Sequence, residues 1–124
     1  MRPALTPVAL SGLLALLGGC GDSSAPAPRL TQDAEQLRPA DARLAAAYER
    51  SCLLCHGRAG SGAPTTGDAA AWAPRLAKGL DQLVASARDG VGGMPALGMC
   101  ADCSEADLRA LIVFMSAPPA PRQP

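Results

Sequence analysis

The chain has 124 residues, room for one small domain, and its eleven basic and eleven acidic side chains cancel. Basic residues neither cluster nor interleave with aromatic ones, which argues against a nucleic-acid partner. Only Tyr48, Trp72 and Phe114 are aromatic, so once a leader is subtracted the roughly 80 residues left to fold are short of bulky side chains, and something else is expected to complete the core.

Met1 and Arg2 precede an apolar run from Ala4 to Leu17, broken by Pro7 and Gly12. It is shorter than the about 20 apolar residues needed to cross a bilayer and reads as an export signal. The ending L-G-G-C resembles the bacterial lipobox, which makes residues 1–19 a lipoprotein signal peptide and Cys20 the lipidated first residue of the mature chain. Ordinary cleavage further on, after Ala27, is the alternative and would discard Cys20. Acyl chains on Cys20 would anchor the protein firmly, since each buried methylene contributes about 0.8 kcal/mol. The expected location is the bacterial cell envelope, facing the periplasm, with outer and inner membrane both open. Residues 20–39 then form the anchor and a flexible linker, polar and proline-bearing, with a reach of roughly 25 Å. A domain over residues 40–117 and a proline-rich tail over 118–124 complete the chain.

From Pro39 to Arg50 the sequence is Ala-rich and opens with helix-start chemistry, and Leu44, Tyr48 and Cys52 recur at four-residue spacing. That face leads into C-L-L-C-H, Cys52 to His56, which contains the only histidine of the chain. The pattern is that of c-type haem attachment: two thiols three positions apart reach two porphyrin vinyl groups, and the next residue brings its imidazole to the iron. One covalent haem c is therefore expected on Cys52 and Cys55, with His56 as a metal ligand. A zinc site completed by Cys100 and Cys103 is a competing reading, but 44 residues separate the pairs, against roughly 15 to 20 in zinc ribbons. A thioredoxin-like pair would need a βαβ setting that the pattern lacks. Gly57, Gly60 and Gly62 then mark a loop.

A histidine-bound iron that only transfers electrons needs a sixth ligand, and a thioether is soft and favours the ferrous state. Met115 falls in a helical pattern with Leu108, Leu111 and Ile112, which leaves Met94 and Met99. Met94, in G-V-G-G-M-P, is favoured because Gly92 and Gly93 allow close backbone approach and Pro95 stiffens the loop. The backbone oxygen of Pro74 is the candidate acceptor for the second ring proton of His56. Trp72 and Arg75 are candidate donors to the haem propionates, with core filling the alternative for Trp72.

Leu80, Leu83, Val84 and Ala87 predict a middle helix ending at Gly90. Cys100 and Cys103 repeat the C-x-x-C spacing, but Ser104 follows where a haem ligand would need His, so a disulfide is expected in an oxidising compartment, stabilising by about 2 kcal/mol and pinning the Met94 loop. Ser104 and Asp107 form the start signal of a last helix with a buried stripe of Leu108, Leu111, Ile112 and Met115.

Taken together, Y-E-R-S-C-L-L-C-H-G, W-A-P-R-L-A-K-G and G-V-G-G-M-P-A-L-G-M-C-A-D-C-S resemble the class I cytochromes c, and among them the cytochrome c5 type, over about Asp41 to Ser116. The resemblance implies a small all-α fold of three to five helices around one covalent haem, His56 and Met94 as ligands, and a Cys100–Cys103 disulfide. A covalently held, six-coordinate haem with no acid or base beside an open iron site is expected to be an electron carrier and not an enzyme. Periplasmic or membrane redox proteins are the expected partners. Ala96 and Leu97 stand where relatives tend to have a second proline and a basic residue. A haem-based gas sensor or small haem enzyme with a displaceable sixth ligand is the alternative, and a zinc or dithiol protein a third.

Overall fold

The structure is a computed structural model that describes residues 33–119. The expected signal peptide, the lipidation site Cys20 and most of the linker lie outside the described residues. Among the described residues there are helices and no strand, so the all-α expectation holds, and no helix is long and apolar enough to cross a membrane.

Helix α1 (Ala42–Ala47) begins at Asp41, whose carboxylate accepts the Leu44 N–H at 2.9 Å. It runs on through a π-helical turn (Tyr48–Cys52) into α2 (Leu53–His56). The sequence spacing predicts one unbroken α-helical face here. The π turn instead inserts a residue and rotates the next turn of helix by about 100°, and both Tyr48 and Cys52 are buried while Leu44 is only half-buried. Helix α3 (Ala69–Leu76) is capped by Asp68, which accepts from the N–H groups of Ala70 and Ala71. No periodic signal marks it, because it is short and holds Pro74. Helix α4 (Leu80–Asp89) is flanked by Gly79 and Gly90, both at positive φ, and buries Leu83, Val84 and Ala87 as the spacing predicts. A 3-10 turn (Ala96–Met99) and the Cys100–Cys103 disulfide precede α5 (Glu105–Ser116).

Helix α5 buries Leu108, Leu111, Ile112 and Met115 against α4 and the α1 segment. Phe114 meets the edge of Tyr48 with ring centroids 5.2 Å apart. Residues 33–39 depart from the flexible-linker expectation: Ala34 is fully buried, Arg38 bonds Glu49 at 2.6 Å and lies over the Tyr48 ring, and Leu37 covers Gly67 together with Pro119. Apolar side chains among the polar ones find partners on the domain surface, a docking that composition alone does not register.

At the start of α5 the Ser104 hydroxyl accepts from the Asp107 N–H while Asp107 accepts from the Ser104 N–H, a reciprocal capping box. Ser104→Ala should cost about 1 kcal/mol and lower the thermal midpoint of the matured protein by about 4–8 °C, read by circular dichroism.

Asp107 also bonds the Arg43 guanidinium, tying α5 to α1. Arg43 first, and Ser104 next, hold its carboxyl well below the usual carboxylate value of 3.8. A depressed folded-state pKa contributes stability above the unfolded value and loses it as pH falls through the folded one. The midpoint difference between the natural chain and Asp107→Asn should thus be largest near neutral pH and shrink steadily in acid below the ordinary carboxylate range.

Candidate functional site

An apolar cavity of about 630 Å³ opens between the π turn and α2 on one side and the 91–99 loop on the other, with α3, α4 and α5 closing its walls. Cys52, Cys55, His56, Trp72, Pro74, Arg75 and Met94 all line it, so the structure brings every sequence-selected cofactor residue to one place. Cys52 and Cys55 are one helical turn apart, and neither takes part in a disulfide. Cys52 is buried, whereas Cys55 stands exposed at the cavity edge.

His56 is buried, and its Nδ1 donates to the backbone oxygen of Pro64 at 2.9 Å. The acceptor is therefore Pro64, not Pro74. The loop after α2 turns back under the ring, and the His56 carbonyl in turn accepts the Thr66 N–H at 2.7 Å, while Pro74 sits within α3 on the cavity wall. With its proton on Nδ1, the imidazole presents a lone pair at Nε2. Burial lowers His56 below the ordinary imidazole range, which keeps it neutral near pH 7, as a metal ligand must be.

Trp72 lies roughly parallel to the His56 ring, centroids 5.8 Å apart, and its Nε1 donates to the Thr65 oxygen at 2.9 Å. The expected donation from Trp72 to a propionate is thus replaced: the indole N–H is taken up by the backbone of the 64–66 segment. Arg75 donates one N–H to the Ala71 oxygen. With Lys78 it supplies the cavity lining with positive charge.

Across the cavity, Val91 and Met94 exchange backbone hydrogen bonds of 2.9 and 3.0 Å around Gly92 and Gly93. Gly90 is required here, since a Cβ would come within 3.0 Å of the Ala96 nitrogen and the Met94 oxygen and its φ is +86°. Met94 is half-buried with its methyl against Gly98, where a Cβ would approach it to 3.0 Å. Met99 is 70% exposed and, like Leu97, adopts a left-handed backbone. Met115 is a core residue that also reaches the cavity wall.

Cys100 and Cys103 are joined in a disulfide, as expected. Their sulfurs and Asp102 lie close together, but a disulfide removes the thiolates that a metal would take. Arg50, two residues before Cys52, donates to both Asp102 oxygens at 2.6 and 2.7 Å and so ties the π turn to the disulfide loop. Two cysteines outside any disulfide at helical spacing, an imidazole next in sequence, a thioether lining the same cavity and apolar walls form a donor set that suits a covalently held haem.

Three comparisons with known proteins bear on this site. The family model described as cytochrome C oxidase, cbb3-type, subunit III matches residues 39–115. Cytochrome c5 of Ectopseudomonas mendocina is 46% identical over 69 residues, 54% of this chain and 79% of that protein. Cytochrome c5 of Azotobacter vinelandii is 49% identical over 67 residues, 52% of this chain and 81% of that protein. A chain of the solved electron transfer complex of nitrite reductase with cytochrome c superposes with a TM-score of 0.55 at 41% identity, covering 61% of this chain and 93% of that one.

The chain belongs to the cytochrome c domain family that this model and these relatives share, and it is a class I, cytochrome c5-like member of it. It carries covalently bound haem c and works in electron transfer. The zinc or dithiol reading falls with that membership.

Proposed function

We propose that the protein shuttles single electrons between periplasmic or membrane-bound redox partners through one haem c held by Cys52 and Cys55, with His56 and Met94 as axial ligands. The observation that carries this reading is that one apolar cavity is lined by Cys52, Cys55, the His56 imidazole and the Met94 thioether together. A thioether favours the ferrous form, and a filled sixth position leaves an electron as the only thing to exchange.

Arg75, which lines the cavity with Lys78, would neutralise the carboxylates of the haem, and Trp72 and Pro74 would serve as walls. The solved complex that the chain resembles pairs a cytochrome c with nitrite reductase, which supports a redox protein as partner. The lipobox at Cys20 and the tether after it would hold the 40–117 domain at the envelope membrane, concentrating it near such partners without new contacts.

Carbon monoxide tests the reading against a gas sensor or small haem enzyme. Reduced, matured protein at neutral pH should bind it slowly or not at all and titrate as one one-electron couple. Rapid, saturable binding would mean an open iron site and overturn the carrier assignment.

A further inference from the structure

The segment Pro64–Thr65–Thr66 is held from two sides by aromatic side chains that are not themselves ligands. Tyr48 is fully buried in the π turn, and its hydroxyl shares a hydrogen bond of 2.8 Å with the Thr66 hydroxyl, also buried. Trp72 Nε1 holds the Thr65 oxygen at 2.9 Å. Between them, the Thr66 N–H bonds the His56 carbonyl and the Pro64 oxygen accepts the His56 ring proton. The imidazole is thus gripped through both its main chain and its ring by three consecutive residues whose place depends on Tyr48. A buried hydroxyl pair of this kind holds its partners tightly, because either hydroxyl left alone has no water to turn to.

We propose that Tyr48 is a positioning residue for the proximal ligand: through Thr66 it holds the Pro64 carbonyl against His56 Nδ1 and thereby sets the donor strength of Nε2 and the reduction potential. The inference rests on the reading of His56 as the iron ligand. A firm hydrogen bond from Nδ1–H raises the basicity of the other ring nitrogen and favours the ferric state. Loosening the carbonyl does the opposite, so the potential rises. The Thr66→Ser variant keeps a hydroxyl within reach of Tyr48, whereas Thr66→Val and Tyr48→Phe each remove one half of the pair.

Matured full-length protein supplies the test, because the chain has one histidine and its ring proton gives one NMR signal. In Tyr48→Phe and Thr66→Val the Nδ1 proton should exchange with solvent at least tenfold faster, and the ferric–ferrous equilibrium should shift towards ferrous by up to tenfold, about 59 mV for one electron. Thr66→Ser should stay at the natural values. Unchanged exchange and potential in both hydroxyl-deleted variants, even with a lower thermal midpoint, would reduce the pair to plain core structure and overturn the proposal. An equal shift in Thr66→Ser would do the same by pointing to packing. Failure of the underlying reading is distinguishable: the His56 ring signals of the natural protein would then lack the large shifts of an imidazole bound to iron.

Discussion

Replacing Cys52 and Cys55 together by Ala should yield a colourless chain without a cooperative unfolding transition. The cavity of about 630 Å³ sits inside a domain with few bulky side chains. At about 24 cal/mol per Å³ an unfilled void of that size would cost up to about 15 kcal/mol, as large as the whole stability of an ordinary domain. The open mouth makes that an upper bound, yet even half of it is comparable with the stability of an ordinary small domain and would leave α1, α4 and α5 weakly held together. The thiols also have no substitute among the described residues, since Cys100 and Cys103 are already bonded to each other. Far-ultraviolet dichroism against temperature checks the outcome; a folded, cooperatively melting double variant would show that side chains alone make the core.

Met94→Ala should fold and remain red but lose the weak ferric sulfur-to-iron band, and its potential should fall by more than about 59 mV, a tenfold change in the equilibrium. Carbon monoxide should then bind the reduced form rapidly. Met99→Ala should retain the band, because Met99 is largely solvent-exposed and its carbonyl, not its thioether, meets Ser51. Met115→Leu should also retain it, Met115 being packed in the core with Leu111 and Ile112. A band that survives Met94→Ala and disappears in Met99→Ala would reassign the sixth ligand.

Covalent chemistry and local backbone chemistry are the features that can be read from the sequence. The spacing of Cys52, Cys55 and His56 is fixed by the group they hold, and Ser104 with Asp107 is a capping pair whose partners are three residues apart. The buried stripes of α4 and α5 result from helical period alone. Contacts decided by chain reversal are not legible. Two prolines, Pro64 and Pro74, each precede residues able to pack near His56, and only the return of the loop after Gly62 decides that Pro64 supplies the carbonyl. Trp72 is readable as a cavity residue, but the Thr65 oxygen that takes its N–H is not. Tyr48 reads as one more member of a helical face, and the π turn that aims its hydroxyl at Thr66 leaves no periodic trace. The same holds for the burial of Ala34 and for Arg38, whose partners Tyr48 and Glu49 stand on the following helical segment.

Attachment through both cysteines is the claim on which the ligands, the filled core and the electron-carrier role all depend. The pyridine haemochrome spectrum of protein produced with a cytochrome c maturation system tests it most directly. One haem per chain is expected, inextractable by acidified acetone, with the reduced peak at the position of a porphyrin whose two vinyl groups are both saturated. A peak at the position of free protohaem, or colour that leaves with the solvent, would contradict it.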